Sequence, residues 1–396
     1  MKKENLPPTV SSETQSPPQA REDIQSQWHN VVRRRSFLKG LGMVGATLLP
    51  ANALLMTQGK AQETTRSGTL TKGYADLLRF AAWAEVVESD LWTQYNELGG
   101  ATKPNDGPPN VGNSAYKLAL QNLDSDMPQY ISDNTDDELS HAAFLNAYLS
   151  SHGAEPINLD AFRTLPGSRA TGVDTTKNNK RLTNLLKLNV DTSWYTRYRS
   201  EDNPDFGATF AQAVNITNEP AIPPANADDT PQNHIQAIAN TAGFHFGFIE
   251  QGGSSLYITL ALKATSEEVL RILLSIGGVE IDHFSLWHDK AGNAVSTPLA
   301  PLTDPGNPGL TFPDLNAVKP PALELTQTNK ILPEPCDFIR TDLPVCSVIR
   351  PSSTAQGGAV ATVKAFTADL LFLNQSEDFF EFAMQLATAA DEARRE

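Results

Sequence analysis

Cysteine is nearly absent: Cys336 and Cys346 are the only two in 396 residues. Their spacing fits neither a Cys-x-x-Cys redox pair nor a zinc finger, which removes both chemistries. Positive charge is short as well, 31 Lys and Arg against 46 Asp and Glu, for a net charge of −15. That balance excludes nucleic acid or an anionic membrane surface as an electrostatic partner. No apolar run is of membrane-spanning quality, since the best candidate, residues 40–56, is interrupted by Gly, Pro and Asn. No phosphate loop and no Ser-His-Asp arrangement supports a nucleotide-binding or hydrolytic reading.

The N-terminus carries a specific signal. A polar, proline-spotted stretch leads into Arg34-Arg35-Ser36-Phe37-Leu38-Lys39, followed by the modest apolar run. This fits the bacterial twin-arginine export motif, so the translocation machinery is an expected partner and the mature protein is expected in the periplasm or outside the cell. Ala51-Asn52-Ala53 and Gly59-Lys60-Ala61 resemble cleavage sites. The second, giving residues 1–61 as signal peptide and a mature chain from Gln62, is preferred. Its removal takes a surplus of four positive charges from the net −15 and leaves −19. In an oxidising compartment a Cys336–Cys346 disulfide is expected.

Glutamate and histidine recur three residues apart in Glu138-Leu-Ser-His141 and Glu280-Ile-Asp-His283. On a helix, residues so spaced share a face, so each quartet offers a carboxylate and an imidazole to one point. Each quartet follows an apolar helical segment with a lone acid. These acids are Glu85, with Glu88 on the same face as its alternative, and Glu250. Glu250 precedes the turn at 264–266 by about 14 residues and Glu280 follows it by about 15, which places both roughly 21–23 Å from the hairpin tip. An antiparallel pair sets them side by side. An aromatic stands seven residues after each lone acid, Trp92 and Tyr257, as if one helix pair were duplicated.

The helix signals predict a first helix from about Gly73 to Gly99-Gly100, closed by a left-handed glycine. A short helix is expected over Ser114–Leu123, then one opened by Asp126 and Pro128 and closed at His152-Gly153. In the third long helix, Gly252-Gly253 implies close contact, a π-bulge or a break. The fourth is expected to start with Thr265 as N-cap and Glu268 completing a capping box. Residues 289–351 read as irregular with a few short strands, and Ala365–Arg395 as one helix docked on the bundle or on a second subunit. By rotation His245 and His288 face away from the acids, while His152 and His234 read as surface or capping residues.

These segments resemble the ferritin-like superfamily, in particular its exported rubrerythrin-type and desiccation-associated branch. Glu138-Leu-Ser-His141 and Val279-Glu-Ile-Asp-His283 match its two Glu-x-x-His helices. Ala84-Glu85-Val-Val-Glu88 and Ile249-Glu250-Gln-Gly-Gly match its lone-Glu helices. The resemblance implies an all-α chain: a four-helix bundle over 70–290 with a long crossover between the second and third helices, then a 291–396 extension ending in a helix. It also implies two metal ions, iron or manganese. Glu138 and Glu280 would bridge, with Glu85 and His141 on one ion and Glu250 and His283 on the other. The expected chemistry is that of an oxidase, peroxidase or catalase-like enzyme with oxygen or peroxide as substrate. Metal handling by iron oxidation and sequestration, or a structural, stress-protective bundle, are the alternatives. An oligomer is compatible with all three.

Overall fold

The computed structural model describes residues 68–177, 179–199, 210–226, 232–315, 333–334, 346–347, 349, 351 and 353–394. The export motif with Arg34 and Arg35, and Cys336 of the expected disulfide, lie outside them. Helices in chain order are α1 (Lys72–Gly99), α2 (Ser114–Leu123), α3 (Met127–Ser151), α4 (Ser193–Arg199), α5 (Gln232–Ala261), α6 (Glu267–Asn293), α7 (Thr354–Gly357), α8 (Ala359–Ala368) and α9 (Glu377–Glu392). Among the described residues, apart from isolated bridges, strands occur as two-residue antiparallel pairs, β1 (Leu302–Thr303) with β2 (Thr311–Phe312) and β3 (Pro333–Glu334) with β4 (Cys346–Ser347). No described helix is long and apolar enough to cross a membrane.

Helix α1 packs on α3, and α5 on α6. Between the pairs Trp92 stacks on Trp287 at 5.4 Å and meets Phe246 at 4.8 Å, an aromatic layer buried without solvent. Burying such side chains contributes most of the driving force for the fold. Tyr74 at the start of α1 ties in the α5–α6 turn: its hydroxyl lies 2.7 Å from Thr265 Oγ1 and accepts from Ser266 N at 2.8 Å.

Three local expectations need correction. Gly100 ends α1 in an extended conformation, φ −73°, and a Cβ there would collide with Asn96. Glycine is therefore needed for space and not for a left-handed turn. Helix α6 is capped by Ser266, whose hydroxyl accepts from Val269 N, because Thr265 is held by Tyr74. With Ser266 as cap the third helical residue is Val269, so Glu268 completes no capping box. The terminal helix is broken: α8 stops at Ala368, Leu370 and Asn374 take positive φ, and Ser376 caps α9. The break is fixed from outside, since Asp369 binds His245 Nε2 at 2.9 Å and Asn184 N donates to the Leu371 carbonyl. Docking on the bundle itself is observed, with Phe372 and Phe379 against Trp83.

The crossover is fastened to α1 by one buried carboxylate. Asp90 Oδ1 takes Arg163 Nη1 at 2.6 Å, and Oδ2 accepts from Leu182 N, Thr183 N, Thr183 Oγ1 and Gln94 Nε2. Asp90→Ala leaves the buried Leu182 and Thr183 amides without this acceptor and removes the Arg163 pair, and is expected to cost about 3 kcal/mol, read as a lower urea midpoint. A loss under about 1 kcal/mol would show that Asp90 is not a main fastening of the crossover.

Candidate metal centre

Each of the four long helices projects one or two side chains into the space between the pairs. The structure brings together Glu85 from α1, Glu138 and His141 from α3, Glu250 from α5, and Glu280 and His283 from α6. All six are buried. They form two overlapping groups, Glu85-Glu138-His141-Glu280 and Glu138-Glu250-Glu280-His283, with the ligating atoms of each within 4.8 Å of one another. Glu138 and Glu280 belong to both. Glu88 is buried nearby and belongs to neither.

Both imidazoles turn Nδ1 to the acids. His141 Nδ1 lies 3.3 Å from Glu85, 3.4 Å from Glu138 and 3.6 Å from Glu280; His283 Nδ1 lies 3.2 Å from both Glu138 and Glu250. The far nitrogen of His283 meets Asp137 Oδ2 at 3.1 Å. A carboxylate there fixes the ring and leaves the other nitrogen to face a metal. Asn134 donates to Glu138 Oε1 at 2.9 Å and Glu250 Oε1 at 3.0 Å, while its own oxygen accepts from Trp287 Nε1 at 2.7 Å. The Tyr257 hydroxyl donates to Glu85.

Burial, reinforced by neighbouring acids, pushes most of the carboxyls up. Glu85 is raised to about 8 by burial, against the pull of His141, and Glu280 stands well above the usual range through burial and then Glu138. Glu88 is raised by burial and by four neighbouring carboxylates, starting with Glu280. Glu138 goes the other way: hydrogen bonds from His141 and His283 overcome its burial. His141 is raised to about 11 despite burial, chiefly by Glu85.

The donor set fits a metal. Glu85 Oε2 and both oxygens of Glu280 are buried without a hydrogen bond, and the His141 imidazole is the positive group that two of them meet, so a cation between the acids would satisfy more of this oxygen set than one ring does. Hard carboxylates with one imidazole per group suit first-row divalent ions over soft thiophilic ones.

Sequence reasoning did not single out Asn134, Asp137 or Trp287 as supports. Asn134 stands one helical turn before Glu138 and Asp137 directly before it, so spacing offered a weak signal for the first. Trp92, seven residues after Glu85, fills the aromatic layer, while Tyr257 touches the acids directly.

The glycine pair in α5 does not break the helix. A Cβ on Gly253 would strike the Glu280 carboxylate, whereas one on Gly252 meets nothing within 4 Å. Gly253→Ala is therefore expected to lose metal and about 1–3 kcal/mol of stability. Gly252→Ala should gain up to about 1 kcal/mol, both read by thermal melting. Equal effects at the two positions would refute the close approach.

A protein-family model described as a ferritin-like domain matches residues 73–293, which contain all six side chains. No curated protein and no solved structure matches the chain.

Proposed function

The chain belongs to the ferritin-like domain family, and on that premise we propose that it holds a dinuclear iron or manganese centre that acts on oxygen or peroxide. The observation that carries this reading is the set of three buried carboxylate oxygens on Glu85 and Glu280 that make no hydrogen bond, two of them within 3.6 Å of His141 Nδ1. Glu138 and Glu280, present in both groups, would serve both ions, and Glu85 with His141 and Glu250 with His283 would each hold one. Ions bound there would supply redox chemistry toward oxygen or peroxide.

The chain's own residues do the positioning. Asn134 locks the carboxylates of Glu138 and Glu250 together, and Trp287 holds Asn134 in the required orientation. Asp137 holds the His283 ring. Tyr257 supplies a proton donor to Glu85. The Trp92–Trp287–Phe246 layer keeps water from that side, while His141 and His283 retain slight exposure and mark the route in.

Export by the twin-arginine route belongs to the same proposal. A chain exported folded can receive its metal in the cytoplasm, where supply is controlled. Arg34→Lys with Arg35→Lys is then expected to retain the protein in the cytoplasmic fraction.

Elemental analysis of natively purified protein, followed by oxygen-uptake and peroxide-decay assays, tests the central claim. Two ions per chain with turnover support it. Ions without turnover point to metal handling, and a chain free of metal to a structural, stress-protective bundle.

A further inference from the structure

A second cluster lies outside the bundle centre. Glu219 from the crossover, His234 in the first turn of α5 and Asp304 beside β1 bring one potential ligand atom each within 4.8 Å of the others. Asp304 is fully buried and Glu219 is 2% exposed; the His234 side chain is 21% exposed and gives the cluster its one opening.

The partners of these groups are unevenly distributed. Asp304 Oδ1 meets His234 Nδ1 at 2.6 Å and accepts from Gly306 N at 2.8 Å. Glu219 Oε2 accepts from Asn307 Nδ2 at 3.0 Å. The other oxygen of each acid, Asp304 Oδ2 and Glu219 Oε1, is buried with no hydrogen-bond partner. Among the described residues no lysine or arginine forms an ion pair with either acid.

The surroundings are built to hold this arrangement. Glu219 and Leu188 exchange backbone hydrogen bonds, and Asp304 N donates to the Leu310 carbonyl. The turn after Asp304 lies so close on the imidazole that a Cβ at Gly306 would run into the ring. Two buried acids, each with an oxygen that no donor meets and each offering a ligand atom within 4.8 Å of the imidazole's, form a cluster that a small cation would neutralise.

We propose that Glu219, His234 and Asp304 form a second divalent-cation site, separate from the bundle centre, which fastens the crossover and the segment after α6 to the start of α5. Two carboxylates and one imidazole suit manganese, iron, cobalt or zinc. Calcium, which takes oxygen ligands, fits poorly. The three residues come from segments 15 and 70 positions apart, so the ion would close two long loops at once.

Cobalt(II) titration followed in the visible spectrum, with bound metal counted after gel filtration, tests this. The probe is added to the full mature chain and to the same chain carrying Glu138→Ala and Glu280→Ala, which disables the bundle centre. In both backgrounds His234→Ala with Asp304→Asn is expected to remove one equivalent of bound cobalt. His234→Gln alone, at the partly exposed position, should weaken that equivalent at least tenfold with an unchanged circular dichroism spectrum. An unchanged cobalt count in either background overturns the site and leaves a proton shared between the two acids as what holds them together. Because one background lacks the bundle centre, its outcome stands apart from the proposed function.

Discussion

Replacing Glu280 and His283 together by Ala is expected to strip the bundle centre of metal and abolish oxygen or peroxide turnover while leaving the long helices folded. Glu280 belongs to both groups of ligating side chains, so its loss opens both at once. His283 is the only imidazole of the second group. The fold should tolerate the change, because Glu280 contributes two buried oxygens that make no hydrogen bond, and their removal relieves a desolvation cost that offsets the cavity. Alanine also suits the interior of α6. The size of the effect should separate ligands from supports. Asp137→Ala, which removes only the partner of His283 Nε2, is expected to weaken metal binding about 10–100-fold, whereas the double ligand change should remove it. Retained metal and turnover in the double variant would place the chemistry elsewhere in the chain. Helical content by circular dichroism distinguishes a lost site from a lost fold.

How much of this was legible in the sequence depends on the range over which each feature is encoded. The Glu-x-x-His spacing, the lone acids and the hairpin register follow from the 3.6-residue period and the rise per residue, and the short helix over Ser114–Leu123 stands where it is expected. Those are local rules, and they brought six residues to one point. The α6 cap was misplaced by one residue because Thr265 is occupied by a tyrosine 191 positions earlier in the chain. The break between α8 and α9 was invisible for the same reason: Leu370 adopts a left-handed conformation that a leucine does not favour by itself. It is stabilised through Asp369 by His245, which in turn meets the Tyr95 hydroxyl at 2.7 Å. His245 faces away from the bundle acids, as its rotation implies, yet spacing does not show that it joins α1 to the terminal segment. Asp90 and the Glu219–His234–Asp304 cluster belong to the same class, since each links segments that no periodicity relates.

Metal affinity at the bundle centre is expected to climb with pH, and the metal-free fold to lose stability over the same range. Before metal arrives, burial and neighbouring acids keep Glu85 protonated up to about pH 8 and Glu280 protonated beyond the usual carboxylate range. His141 holds its proton to about 11, its burial outweighed by Glu85, and His283 is raised by Glu250 and Asp137 against its own burial. Metal takes carboxylates and neutral imidazoles, so these protons must leave as it binds. Each proton displaced contributes about tenfold in affinity per pH unit while its group remains protonated. The slope should therefore be steep from pH 6 and ease above pH 8, where Glu85 ionises unaided. Stability of the metal-free chain has the opposite sign. Glu85 and the two histidines bind protons more tightly folded than unfolded, so their contribution is full below the unfolded values, near 4.5 and 6.5, and is lost as pH rises through the folded ones. Glu138, held low by the imidazoles, contributes in the other direction and is lost only in acid. Chelator competition at pH 6 and pH 8, with proton release read from binding heats in two buffers of different ionisation enthalpy, measures the first effect. Thermal melts of metal-free protein across the same interval measure the second. Affinity flat between the two pH values, with no protons released, would mean that the acids are already ionised and that burial does not govern them.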